Sequence, residues 1–187
     1  LPALQVRSNL LANRRVAGEQ PGRRRDAWPD HGVRTYGSEA RMKFSLVQCD
    51  DTGIPVDHIP DLPQELAANC AATADLYRRV GYQPPWVGYV AVVDGRGVGG
   101  GAFVGPPRDG RVEIAYYTLK DHEGRGYASM TAASLVDIAR RHDPQVTLLA
   151  FTLIEQNAST RILGKLGFRV YGTAQDADAG EVLEWRT

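Results

Sequence analysis

Cysteine is nearly missing from this sequence: Cys49 and Cys70 are the only two in 187 residues. Cys70 falls in a helix-like stretch beside Ala71 and Ala74, so a reduced, packed thiol is expected there, not a disulfide or a metal ligand. No stretch approaches the roughly 20 apolar residues that a membrane-spanning helix needs. The charged, apolar and small-residue parts of a signal peptide are also missing from the N-terminus. Net charge is absent too, with 22 Lys and Arg offset by 22 Asp and Glu. What remains, 43% hydrophobic and 24% charged, is the composition of an ordinary globular domain. The length suits one domain with a core of its own. These absences predict a cytoplasmic location, no membrane partner and no metal.

The zero balance hides an asymmetry. Residues 1–41 hold eight arginines against four acids, which leaves 14 basic and 18 acidic groups for residues 42–187. A basic head is a footprint that nucleic acid or a membrane surface can use. This one has no helical periodicity and no aromatic interleaving, so it reads as a poorly ordered extension, and nucleic-acid binding is not expected. Met42 is followed at once by a strand-like run, which places the expected start of the domain at 42 and its end at 187.

Along that domain the pattern alternates between two periods. Residues 43–48 alternate as a first strand, and 50–63 form a loop dense in Pro and Asp. Leu66, Cys70, Ala74 and Tyr77 recur at helical spacing between Gln64 and Val80. Strands follow at 86–93, 98–104 and 112–119, the first two joined by a turn at Asp94-Gly95. A helix from about 126 to 141 carries Ala128, Thr131, Ala132, Leu135, Ile138 and Ala139 on one face. A buried strand at 146–152, a helix at 158–166 and strands at 168–171 and 181–185 complete the order. The layout is α/β with mixed sheet direction and no internal repeat.

Two glycine-rich stretches invite a phosphate. The first, Gly95-Arg-Gly97-Val-Gly99-Gly100-Gly101, fits the G-x-G-x-x-G spacing of dinucleotide-binding proteins. That motif needs a helix after it, because the phosphate rests on the helix N-terminus. Ala102-Phe-Val follows instead, so the stretch reads as a hairpin strand of small residues. The second, Glu123-Gly124-Arg125-Gly126-Tyr127-Ala128, lies between a strand and an amphipathic helix. Backbone N–H groups at such a helix start lack intrahelical partners and sit in the positive end of the helix dipole. The residues fit an anion cradle and a plain strand-to-helix turn equally well.

A third segment, Asn157-Ala-Ser-Thr-Arg-Ile-Leu-Gly-Lys-Leu-Gly-Phe168, separates the two. Gly124–Ala128 and Asn157–Phe168, about 30 residues apart with one strand between them, together resemble the GNAT superfamily of N-acetyltransferases, in the branch related to ribosomal-protein N-terminal acetyltransferases. The likeness spans roughly 43–185 and is most specific over 112–128 and 157–168. It implies a GNAT-type fold, with a mixed, mostly antiparallel central sheet and helices on both faces. It also implies acetyl-CoA as co-substrate and a primary amine as acceptor, either a protein N-terminus or a small amine. A homodimer is compatible with it. The alternative is a non-catalytic acyl-CoA-binding module of the same fold.

Carried onto this sequence, the resemblance implies that Tyr117, Thr118 and Leu119 run beside the pantetheine arm. Glu123, Gly124, Arg125, Gly126, Tyr127 and Ala128 form the pyrophosphate loop, and Asn157 and Arg161 contribute from the later helix. Glu123 stands where the family pattern has Gln or Arg, which removes a side-chain phosphate contact and leaves the backbone ones. Ile162-Leu163-Gly164 stands where many members carry a tyrosine acid, so Ser159 is the candidate for contact with the thiol. Asn157 as a helix N-cap and Ser159 as a first-turn residue are equally consistent with the residue types. Glu113, among apolar and aromatic neighbours, is the candidate base, or a strand carboxylate paired with Arg111 or solvated. Arg125, Arg161 and Lys165 are either phosphate partners or solvated helix charges. Trp86, Tyr89, Tyr116 and Tyr82 read as core aromatics before they read as pocket walls. His122 reads as a solvent-facing loop residue.

Overall fold

A computed structural model describes residues 42–187; the basic head at 1–41 lies outside the described residues. The chain order is β1 (Phe44–Gln48), α1 (Gln64–Val80), β2 (Gly88–Val93), β3 (Arg96–Phe103) and β4 (Arg111–Thr118). After a 3-10 turn at Lys120–His122 come α2 (Tyr127–His142), β5 (Thr147–Leu153), α3 (Ala158–Lys165), β6 (Arg169–Asp176) and β7 (Gly180–Arg186). The strands form one sheet in the order β1-β2-β3-β4-β5-β7-β6. Every neighbouring pair is antiparallel except β4 with β5. This is the mixed, mostly antiparallel sheet that the resemblance implies. Among the described residues no helix is long and apolar enough to cross a membrane.

Local chemistry sets the turns. Asp94 and Gly95 both take positive φ, 48° and 81°, which suits a two-residue hairpin whose twist matches its strands. Asn157 caps α3: its side chain accepts from Ser159 N at 2.9 Å and Thr160 N at 3.2 Å, while Thr160 Oγ1 accepts from Asn157 N. For a helix of 8 residues, such a cap is worth about 1 kcal/mol.

The helices cover opposite faces of the sheet. Gly88 faces α1, where an added Cβ would stand 2.7 Å from Thr73 Cγ2. Gly101 faces the other way, and a Cβ there would stand 2.9 Å from both Leu135 Cδ1 and Thr131 Cγ2 of α2. The main core lies on the α2 side, where Val112, Ile114 and Tyr116 of β4 pack with Leu135 and Ala139 of α2 and Leu163 of α3. Each fully buried Leu there contributes roughly 1.5–3 kcal/mol. A smaller cluster under α1 joins Val47, Cys49, Leu66, Cys70, Val90 and Val92.

Some boundaries differ from the sequence reading. Trp86 and Val87 are buried but precede β2, because their N–H groups bond to Gln83 O and Pro85 O in a turn. β6 and β7 extend through most of 172–180, which the sequence read as a loop. A register shift between Val170 and Gly172 carries β6 past a glycine that masks the strand pattern.

Candidate active site

The parallel pair β4–β5 generates the site. Their ladder has three rungs, Arg111 with Thr147, Val112 with Leu148 and Glu113 with Leu149. Both strands then run on, β4 paired to β3 as far as Thr118 and β5 paired to β7 as far as Leu153, but no longer to each other. Beyond Glu113 the edge of β4 that faces β5 is therefore outside the ladder. A backbone edge of this kind can accept an extended amide chain as an added strand.

Each parallel strand leads into a helix at this same end of the sheet. β4 leads through the turn to α2 and β5 leads to α3, and the C-terminal end of parallel strands is where α/β proteins place ligands. Gly124 and Gly126 hold φ of 74° and 82°, left-handed values that favour glycine, and a Cβ at either would meet nothing within 4 Å. Gly126 is the N-cap of α2 and makes no side-chain cap bond. The first-turn N–H groups of α2 thus have no side-chain cap, and the dipole adds positive potential there.

Glu123, Gly124, Arg125 and Gly126 are all exposed, as are Arg161 and Lys165 on α3. Tyr127 turns its ring into a cluster with Ala91, Val93 and Val98, so only its backbone is available to a ligand. Ala128 packs against the main core and keeps α2 close to the sheet. Leu119 is buried beside the α1 cluster. Tyr117 is half-buried with its ring over Gly100, where an added Cβ would lie 2.9 Å from Cε1. Burial pushes its phenol upward, opposed by a hydrogen bond from the Asn69 side chain.

Three polar side-chain atoms along this path are buried without a hydrogen-bond partner: Thr118 Oγ1, His122 Nδ1 and Ser159 Oγ. Ser159 is only 2% exposed. A buried hydroxyl in that condition costs free energy unless another group completes it. The residues present therefore fit a long ligand that has an anionic head, an amide-bearing arm and a polarisable end. His122 differs from its sequence reading as a solvent-facing loop residue. It is half-buried, with its ring centroid 6.4 Å from that of Tyr127.

Glu113 sits on the last β4–β5 rung, half-buried, on the pleat opposite Val112 and Ile114. Arg111 lies 3.9 Å from Asp109, an exposed pair of little energetic weight. Trp86, Tyr89 and Tyr116 belong to the main core, and Tyr89 also reaches the cavity under α1. Tyr82 is half-buried, its hydroxyl donating to Cys49 O at 3.3 Å and accepting from Gln48 Nε2 at 3.1 Å. Sequence reasoning missed a cavity under α1 lined by Cys49, Asn69, Cys70, Thr73, Tyr89 and Tyr117 among others. Its walls come from four elements, so no single run of residues marks it.

A family model described as the acetyltransferase (GNAT) domain matches residues 35–169. Comparison with curated proteins finds no match. Among solved structures, the chain is similar to RimL, the ribosomal L7/L12 alpha-N-protein acetyltransferase, in complex with coenzyme A. Identity is 17% and the TM-score 0.58, over 77% of this chain and 93% of that one. It is also similar to yncA from Salmonella typhimurium, provisionally described as an acetyltransferase and solved with acetyl-CoA. There identity is 18% and the TM-score 0.53, over 78% and 93% of the two chains. Against a GNAT-family acetyltransferase from Bacillus anthracis the chain spans 64% of that protein's length and 54% of its own, at 17% identity and a TM-score of 0.47.

Proposed function

This chain belongs to the GNAT acetyltransferase family, and from that premise we propose that it moves the acetyl group of acetyl-CoA to a primary amine by direct attack in a ternary complex. The observation that carries the reading is the end of the β4–β5 ladder at Glu113, beside an open, uncapped α2 N-terminus. Acetyl-CoA supplies the activated thioester acyl group; the protein's own residues bind, orient and manage protons.

Backbone N–H groups of Gly126, Tyr127 and Ala128 hold the pyrophosphate, with Gly124 and Gly126 leaving room for its approach. Arg125 and Arg161 add positive charge at the rim. Glu123 takes part through its backbone, since its carboxylate repels phosphate. The free edge of β4 at Tyr117 and Thr118, with Leu119 just beyond the strand, lines the pantetheine arm. Asn157 fixes the first turn of α3, and Ser159 Oγ, poised without a partner, donates to the sulfur. Glu113 removes the ammonium proton of the acceptor, directly or through one water. The acceptor in this reading is a protein N-terminus or a small amine, and the two free thiols are in keeping with a cytoplasmic location.

Two observations favour a second reading, a non-catalytic acyl-CoA-binding module. No tyrosine occupies 162–164, and Glu123 stands where a phosphate-binding side chain is usual in the family. Calorimetric titration with acetyl-CoA tests both, on the intact protein and on Gly126→Glu. Saturable binding, weakened at least ~100-fold by the substitution, supports the cofactor site; no binding to the intact protein sinks it. With binding established, transfer to a panel of amines that falls about 10²-fold or more in Glu113→Gln supports the enzyme. Binding with no transfer to any amine supports the module.

A further inference from the structure

The proposed chemistry leaves unused the only two thiols in the chain. Cys49 follows β1, its N–H donating to Gly88 O at 2.9 Å, and Cys70 lies on α1, 21 positions on. Their sulfurs are 3.9 Å apart, and both thiols are free and buried, at 2% and 9% exposure. The intervening loop is pressed onto α1 at the same point, because a Cβ on Gly53 would stand 2.3 Å from Cys70 O. The backbone of the loop thus lies directly against the backbone of α1 beside the two sulfurs. Both also line the cavity under α1, which gives a small oxidant a route to them.

The two thiols are unequal. Hydrogen bonding from the Cys49 S–H lowers the Cys70 pKa, against the opposing effect of burial. The same bond, together with burial and the charges of Cys70 and Asp50, raises that of Cys49. Cys70 is also the more exposed of the two, at 9% against 2%, which makes it the attacking thiol and Cys49 the resolving partner.

We propose that Cys49 and Cys70 are a peroxide-oxidised dithiol site, whose disulfide ties α1 to the end of β1. The Cys70 thiolate attacks one oxygen of hydrogen peroxide, the O–O bond breaks, and hydroxide leaves to give a sulfenic acid on Cys70. Cys49 sulfur then attacks Cys70 sulfur, the S–O bond breaks, and water leaves with the Cys49 proton. Two thiols and one peroxide become one disulfide and two waters. A dithiol reductant reverses the link by exchange, which suits a compartment where disulfides are transient and sensing. Closing the bond draws the sulfurs together by about 2 Å.

The test needs no knowledge of the acceptor and does not rest on the acetyltransferase reading. The full chain, folded or in urea, is treated with a small excess of hydrogen peroxide and followed by intact mass and non-reducing peptide mapping. The folded protein is expected to lose about 2 Da through a Cys49–Cys70 link, at least ~10-fold faster than the chain in urea. Its melting temperature is expected to rise by roughly 5–10 °C, with dithiothreitol restoring the start. Cys49→Ser is expected to gain oxygen at Cys70 instead, and the rate comparison on the unaltered chain stands whether or not that variant folds. Two thiols still open to alkylation, linkage between two chains, or a link no faster in the folded protein than in urea overturns the proposal.

Discussion

Two segments of this chain carry clustered glycines and do opposite work. In β3, Gly97, Gly99, Gly100 and Gly101 are buried, and a Cβ on each would stand 2.4 to 2.9 Å from another atom. In the turn before α2, Gly124 and Gly126 are exposed, hold positive φ, and would meet nothing within 4 Å. The first set exists to be absent, letting α1, α2 and the ring of Tyr117 close onto the sheet. The second exists to bend the backbone and leave space in front of a helix. Spacing alone ranks them the wrong way round, since the buried set matches a nucleotide fingerprint and the open set is shorter. What separates them is whether a strand or a helix follows.

Substituting on the buried side gives the largest expected effect. A Cβ on Gly99 would lie 2.4 Å from Tyr117 O and 2.9 Å from Thr118 Cα, both parts of backbone that no side-chain rotation relieves. Gly99→Ala is expected to cost about 3 kcal/mol, lowering the melting temperature by roughly 6–12 °C in a calorimetric scan. The displaced strand is β4 at the free edge, so acetyl-CoA binding should weaken with it. Gly126→Glu, in contrast, should cost only about 1–2 kcal/mol of stability while abolishing measurable binding. If Gly99→Ala melts like the unaltered protein, β3 is not packed as described and the contrast fails.

A pH scan sharpens the buried side further. Burial pushes the phenols of Tyr77, Tyr89 and Tyr117 above the ordinary value of 10, that of Tyr89 to about 12. A raised folded-state value means the uncharged form is favoured in the fold. That contribution is intact below pH 10 and is lost as pH climbs through the folded values. Melting temperature should be level from about pH 8 to 9.5 and fall steadily above pH 10, with a shallower fall in Tyr117→Phe. An unchanged slope in that variant would mean the ring over Gly100 is open to water.

Much of this was legible in the sequence because periodicity and punctuation agreed. The helical spacing of Leu66, Cys70, Ala74 and Tyr77, the Asp94-Gly95 turn and the small residues of α2 all identify elements the structure contains. The parting of β4 from β5 was not legible from these residues, because a ladder that stops at Glu113 leaves no mark in either strand's alternation. Nor was the orphaned hydroxyl of Ser159, since its burial depends on what α3 packs against. The cavity under α1 needed four elements in place before it existed. β6 was read short because Gly172 and the small residues after it look like a loop until β7 pairs with them.

The smallest expected effects separate the two helix starts at the site, and they should cross. α3 begins on Asn157, whose side chain already takes the N–H groups of Ser159 and Thr160. α2 begins on Gly126, whose first-turn N–H groups have no side-chain cap. Only the second leaves its donors for an anion. Asn157→Ala should therefore cost about 1 kcal/mol in urea denaturation and leave the acetyl-CoA dissociation constant within about threefold. Gly126→Asn should do the reverse. Asparagine tolerates a left-handed φ better than most residues, and its side chain supplies the missing cap, so stability should shift by no more than about 0.5 kcal/mol. The same side chain now occupies the donors, and the dissociation constant should rise about tenfold. Should Asn157→Ala instead prove the variant that loses binding at little cost in stability, the phosphate belongs at α3, and the open turn before α2 is no more than a turn.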